Sequence, residues 1–434
     1  MLWQKDTRVE DWVTRFTVGE DYRWDTLLLP YDIEGTRAHA WGLAQIGLLS
    51  AEEFARIEDA LGQLLADYEA GHVTVTPADE DCHTVIETYL TEHLGEVGKK
   101  IHTGRSRNDQ VLTALRLFLR EQLRARGRQV HALAEALCRL GDAYDDALMP
   151  GYTHLQRAMP TTAGQWALGY AECLLADLDA LRHAAGQVNV SPLGSAAGYG
   201  VPYLELPREE VARRLGFDGV QTHVTAVQLS RGKLELHVAH ALVQVGATLN
   251  RMASDLVLFN SAEFGFVELP AEYCTGSSIM PQKQNPDVLE LARATYHRLL
   301  AEMNVLLTLP ANLPSGYHRD LQLTKEAVMR CTLLAGDLLA AMNHVVPGLR
   351  FDRERLAEAC TPELYATAHA LELVRDGVPF REAYRKAAQA VGTRAAPDAA
   401  DALAAYRVDG FPGRGRPDLL RRRLEAHRDW LEPA

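Results

Sequence analysis

At 434 residues the chain is too long for one small module and suggests two or three structural regions. Its 45 Lys and Arg against 58 Asp and Glu leave a formal charge of −13, which argues against generic binding to nucleic-acid phosphates. Hydrophobic residues at 47% with aromatics at only 7% point to a folded core of Leu, Ala and Val, a balance that favours helices. The six cysteines are scattered without a C-x-x-C pair or a zinc-like cluster with histidine, so reduced thiols and no metal are expected. The first residues, M-L-W-Q-K-D-T-R-V-E-D-W, lack the apolar run of a signal peptide. No stretch approaches the ~20 apolar residues of a membrane span. A soluble cytoplasmic protein without membrane or nucleic-acid partners is the expectation.

In chain order, the first candidate for extended structure is the short Val73–Val75 segment; strong strand alternation is absent. Proline does not occur from Ala78 to Met149 or from Arg208 to Leu269, and both intervals carry Leu, Ala and Val at helical spacing. Asn108 to Leu148 reads as one long helix whose stripe is Val111, Leu115, Leu119, Leu123, Leu133, Leu137 and Leu140, with bends allowed at Gly127 and Gly141. Further helices are predicted from Thr161 to Val188, His223 to Asn260, Asp287 to Leu309 and Thr324 to Val346, the fourth with Asn285 and Pro286 as cap and first turn. Shorter pieces follow Pro347, then an Arg- and Pro-containing tail from Phe411 to Pro417. The predicted fold is all-α in three regions: an N-terminal helical domain (1–104), a central long-helix bundle (105–348) and a small C-terminal helical domain (349–434).

Gly, Pro, Ser and His collect in the connectors His102–Asp109, Met149–Gln156, Val190–Pro202, Tyr273–Asn285 and Leu313–Gln322, where a rigid scaffold would hold functional groups. A helix of about 40 residues is roughly 60 Å long. Either the loops flanking the Asn108–Leu148 helix serve one site shared between subunits, which predicts an oligomer, or only one of them matters.

The richest connector is Y-C-T-G-S-S-I-M-P-Q-K-Q-N, from Tyr273 to Asn285. Gly276 permits unusual dihedrals, Ser277 and Ser278 offer hydroxyls, and Lys283 and Asn285 supply charge and hydrogen bonds for an anion. A serine acts as a base only where cations and backbone donors stabilise its alkoxide. The string G-S-S-I-M-P-Q-K-x-N-P resembles the signature of the fumarase, aspartase and argininosuccinate lyase superfamily. K-I-H-T-G-R-S-R-N-D-Q (Lys100–Gln110), M-P-G-Y-T-H-L-Q (Met149–Gln156), G-V-P-F-R (Gly377–Arg381) and D-I-E-G-T-R-A-H-A (Asp32–Ala40) resemble the argininosuccinate lyase family in particular. The resemblance covers nearly the whole chain.

That resemblance implies cleavage of argininosuccinate to arginine and fumarate by β-elimination, the last step of arginine biosynthesis, without metal or organic cofactor. It implies Ser277 as base, Lys283 and Asn285 as stabilisers of the aci-carboxylate intermediate, and His154, polarised by Glu290, as proton donor to the departing nitrogen. Arg107, Asn108 and Thr153 would bind the succinyl portion, and Tyr317, Gln322 and Lys325 other polar groups of the substrate. The family is tetrameric, each site drawing on three subunits, so a homotetramer is implied. Independently, Lys99, Lys100, His102, Arg105 and Arg107 crowd potential cations into nine residues, which suits a dicarboxylate.

The chain also departs from the family pattern. Gln284 stands where a second lysine is usual, L-S-R-G-K-L-E (Leu229–Glu235) replaces an S-D-R-D-type segment, and Leu323 and Thr324 replace an acidic pair. S-P-L-G-S is kept within Val188–Val201 but its continuation is lost, and the serine expected upstream of Asp25 is missing. A divergent branch is the reading, with altered tolerance, for example of an N-acylated argininosuccinate, at the amino-acid end. The alternatives are a related lyase such as adenylosuccinate lyase, and a non-catalytic homologue like the lens crystallins.

Overall fold

The computed structural model describes residues 10–432. Residues 1–9, on which most of the reading of the N-terminus rests, lie outside the described residues. Long helices dominate, and the strands among the described residues are short and form three two-stranded pairs. No helix among the described residues is long and apolar enough to cross a membrane.

Contacts divide the chain into two compact units, one of residues 1–124, 181–242 and 300–333, the other of 125–180, 243–299 and 334–434. Five long helices contribute to both: Arg107–Tyr144, Ala163–Val188, Lys233–Phe259, Asp287–Thr308 and Leu323–Val345. In the first unit, helices Asp21–Gln45, Ala51–Glu69 and Cys82–Leu94 pack on one another. Local chemistry sets where they start. Ser50 and Glu53 form a reciprocal capping box, and the Asp81 carboxylate accepts the Thr84 N–H at 2.8 Å to begin the third. One core cluster joins Ala38, Leu117, Leu193, Val211, Ala212, Leu215 and Phe217.

The second unit holds a hairpin, Leu148–Thr153 paired antiparallel with Gln156–Thr162. Leu148 packs there in a cluster with Cys360, Leu364 and Ala402. Asp255 accepts hydrogen bonds from Trp166 Nε1 at 3.0 Å and Tyr170 Oη at 2.7 Å, fixing two aromatic side chains of one helix to its neighbour. The G-V-P-F-R segment is the turn between helices Ala366–Arg375 and Phe380–Ala390, with Gly377 at φ +91°.

Several sequence expectations are corrected. The long helix ends at Tyr144, and Leu148 opens a strand; Pro150 removes an amide donor and disfavours helix in the residue before it. Met149–Gln156 is therefore mostly strand. Gly127 and Gly141 lie inside a continuous helix: a Cβ on Gly127 would come within 2.6 Å of Trp430, and one on Gly141 within 2.5 Å of Leu168, so both glycines admit a neighbouring side chain. The predicted His223–Asn260 helix breaks into Val224–Leu229 and Lys233–Phe259. Gly232 at φ +77° causes the break, with Pro310 pressed so close that a Cβ would meet it at 2.5 Å. Val73–Val75 joins no strand; the Val75 N–H donates to Thr26 Oγ1 at 3.3 Å.

Candidate active site

In the first unit, residues from distant parts of the chain converge on a cavity of about 180 Å³. Five of the sequence-predicted site residues line it: Arg107, Asn108, Tyr317, Gln322 and Lys325. The capping residue Asp81 also meets Arg107 Nη1 at 3.0 Å, so the start of one helix positions the first cation of another. Glu80, buried at a left-handed φ of +72°, reaches Arg107 at 3.2 Å and Arg319 at 3.3 Å. A strained non-glycine residue held between two arginines is a frequent mark of a functional site. Lys325 is buried and donates to Asp21 at 2.8 Å and Asp25 at 2.6 Å. Gln322 donates to the Thr17 carbonyl at 3.0 Å. The Arg231 guanidinium lies 4.8 Å from the Tyr317 ring centroid, and its Nη1 is 3.4 Å from Asn108 Oδ1.

Burial, increased by the neighbouring Asp21 and opposed by Lys325, pushes the Asp25 carboxyl up to about 6. Burial also raises Asp21. Lys325 is raised, because the two carboxylates outweigh the burial that would lower it. His83, also lining the cavity, is paired with Asp32 at 2.7 Å; burial lowers its pKa, but the carboxylate outweighs that and brings it to about 8. Cys82 lies beside this pair, and the ligand-type atoms of Asp32, Cys82 and His83 fall within 4.8 Å of one another. Burial raises the Cys82 thiol well above its usual value, and a protonated thiol is a poor metal ligand. The trio is a buried ion pair with a thiol neighbour.

The other six predicted residues belong to the second unit and are outside the cavity lining. The signature loop is closed at its base by two backbone hydrogen bonds between Thr275 and Asn285, at 3.1 and 2.8 Å. Asn285 thus closes the loop instead of capping the helix, and Nδ2 donates to the Gly276 carbonyl at 3.3 Å. The helix Asp287–Thr308 instead uses the Pro286 carbonyl, which accepts from Glu290 N–H at 3.2 Å. Within the loop, Ser277 Oγ accepts the N–H groups of Ile279 at 3.3 Å and Met280 at 3.2 Å, donors of the kind that stabilise an alkoxide. Lys283 and Glu290 are exposed. Thr153 and His154 are exposed at the hairpin tip, where His154 (φ +54°) and Leu155 (φ +57°) make the two-residue turn. Both central residues of such a turn normally favour Asn or Gly, so the turn carries local strain at His154 and Leu155.

The crowded cations Lys99, Lys100, His102, Arg105 and Arg107 do not form a patch. Nearby acids take four of them: Glu96, Glu53, Glu87 and the Glu80–Asp81 pair. Arg105 is buried and donates to Thr36 Oγ1 at 2.9 Å. Sequence reasoning did not gather Asp21, Glu80, Asp81, His83, Arg231 and Arg319. Two carried a signal, Arg231 in the departing L-S-R-G-K-L-E segment and Asp21 four residues before Asp25, where the family serine is absent.

A family model described as "Lyase" matches residues 14–300. The argininosuccinate lyase of Sorangium cellulosum is 46% identical over 98% of this chain and 99% of its own length. The chain belongs to the argininosuccinate lyase family. That of Thermotoga neapolitana is 44% identical over 90% of this chain and 98% of its own length. Among solved structures, an EDDS lyase in complex with formate matches with a TM-score of 0.76 at 26% identity, covering 98% of this chain and 93% of that one. The helical fold is shared across the family, and the departures in the L-S-R-G-K-L-E segment and near Asp25 lie within that fold, beside the cavity.

Proposed function

We propose that the chain is an argininosuccinate lyase, splitting argininosuccinate into arginine and fumarate by β-elimination. The observation that carries this is identity of 44–46% to enzymes of that name over nearly full lengths, with the signature loop holding Ser277 Oγ on two backbone donors. Ser277 removes the proton from the carbon beside the succinyl carboxylate. The charge that develops on that carboxylate is met by Lys283 and Asn285. The C–N bond then breaks, its electrons stay with the departing nitrogen, and His154, polarised by Glu290, supplies that nitrogen with a proton. Arg107, Asn108 and Thr153 hold the succinyl portion; Tyr317, Gln322 and Lys325 bind other polar groups of the substrate.

The enzyme works in the cytoplasm as a homotetramer with shared active sites, in the last step of arginine biosynthesis. The long Arg107–Tyr144 helix between the Arg107 loop and the His154 hairpin supports shared sites. The 1–104, 105–348 and 349–434 regions serve as N-terminal helical domain, central long-helix bundle and small C-terminal helical domain. Fumarate release from argininosuccinate, followed by ultraviolet absorbance, tests the reading with adenylosuccinate as comparator. Release from adenylosuccinate alone, or from neither, refutes it.

A further inference from the structure

The hairpin that carries His154 projects with its tip uncovered. Every residue from Thr153 to Arg157 is exposed. The pairing register shifts between Pro150 and Tyr152, and a Cβ on Gly151 would come within 2.8 Å of the Met159 carbonyl oxygen. Such a bulge re-aims the side chain that follows it. Here that side chain is Tyr152, the last half-buried residue before the tip, and its ring meets Phe264 with centroids 5.7 Å apart and planes at 53°. Phe264 is itself held in place. Its N–H donates to Ser261 Oγ at 3.4 Å, Gly265 turns the chain at φ +58°, and the Phe266 N–H donates to the Phe259 carbonyl at 2.8 Å. From there the rings continue as a ladder: Phe264 stands nearly perpendicular to Phe266 at 5.1 Å, Phe266 meets Phe259 at 6.0 Å, and Phe259 meets Trp166 at 6.0 Å. These spacings are the ones aromatic pairs favour. Trp166 ends the ladder on Asp255, and it belongs to the helix that follows the second strand of the hairpin. The contacts therefore form a closed ring from the base of the hairpin back to its tip, all within the second unit.

We propose that Phe264 is a positioning residue for His154: through the Tyr152 ring it clamps the hairpin tip and so fixes where the imidazole stands. The inference rests on the argininosuccinate lyase reading, in which His154 supplies the proton to the departing nitrogen, and that reading gives Phe264 no part. A proton donor works only across hydrogen-bond distance, and a displacement of about 1 Å costs up to about 100-fold in rate. The turn cannot supply that precision alone, because His154 and Leu155 occupy a backbone conformation that persists only where the surroundings impose it. Lateral packing has to impose it, and Tyr152 is the nearest residue before the turn that is packed. A ring at position 264 serves two neighbours at once, Tyr152 on the hairpin and Phe266 in the buried core. A leucine there fills part of the space but presents no aromatic edge or face to either.

The test is a double-mutant cycle on the full-length enzyme, with kcat for argininosuccinate measured in the wild type, Phe264→Leu, His154→Ala and the double variant. Phe264→Leu should lower kcat about 10-fold. In the His154→Ala background the same change should cost less than about 2-fold, because the imidazole it would misplace is gone. A merely structural role would instead lower kcat by the same factor in both backgrounds. Phe264→Tyr, which keeps the ring, should recover most of the kcat lost in F264L. Hydrogen exchange followed by mass spectrometry reads the hairpin without turnover: amides of residues 149–162 should exchange faster in F264L than in wild type or F264Y. Equal losses in the two backgrounds, full activity in F264L or H154A, or hairpin exchange unmoved by F264L overturns the inference while leaving the lyase reading intact. Wild-type protein that releases no fumarate from argininosuccinate overturns both.

Discussion

Two lysines assigned to one substrate sit in contrasting surroundings. Lys325 is buried between two carboxylates that cost energy to desolvate, and it holds segments some 300 residues apart in sequence. Lys283 is exposed on a loop, with no carboxylate among the described residues within ion-pair distance. The difference separates two tasks. The cavity around Lys325 gathers five of the predicted binding residues, and its ion pairs also hold the first unit together. The loop around Lys283 leaves that charge without a carboxylate partner among the described residues and holds Ser277 Oγ on backbone donors, which suits the proposed stabilisation of an anion that exists only during reaction.

The largest expected effect breaks the comparison at Ser277. Ser277→Ala should lower kcat about 10³-fold with helicity and assembly unchanged, since among the described residues Ser277 Oγ bonds only within its own loop. Absorbance at the fumarate band, circular dichroism and light scattering check the three parts. Retention of full activity would remove Ser277 as the base.

Parallel substitutions at the two lysines sharpen it next. Lys325→Met should destabilise the fold by about 3–5 kcal/mol, because two carboxylates lose their shared partner. Part of that loss should be recovered on acidification, where Asp25 takes up a proton, and recovery should begin above the wild-type value of about 6 because Lys325 no longer holds that carboxyl down. Lys283→Met should leave the denaturation midpoint within about 0.5 kcal/mol of wild type while abolishing turnover. Urea unfolding alongside fumarate release measures both; similar stability losses at the two positions would erase the distinction.

The two regions also differ in how far the sequence reveals them. The signature loop is contiguous, so Ser277, Lys283 and Asn285 could be read together, and the long helices announce themselves because Leu and Ala recur along stripes such as Leu115, Leu119 and Leu123. The break at Gly232 could not be read the same way. A glycine within a helical pattern is tolerated unless something else forces a turn, and here that is the press of Pro310. The cavity hides for a related reason. Its residues run from Asp21 to Lys325, and whether a cation is available depends on acids brought by other helices. That is why the Lys99–Arg107 cluster, dense in sequence, dissolves into separate ion pairs, while Arg231, alone in sequence, feels the charges of Glu235 and Asp21 without an ion-pair contact to either.

The smallest effect concerns His83, which tests whether the cavity's pairing is itself part of the fold's stability. Its folded-state pKa of about 8 lies above the ordinary 6.5 because of Asp32. A raised histidine favours the folded state in its protonated form, so its contribution is fully present below pH 6.5 and is lost as pH rises through 8. It amounts to about 2 kcal/mol. Wild-type denaturation midpoints should therefore decline between pH 6.5 and 9, and His83→Gln, which cannot titrate, should show a lower midpoint at pH 6.5 and a flatter profile. A mutant profile parallel to wild type would assign the decline to other groups and leave the His83–Asp32 pair without a stabilising role.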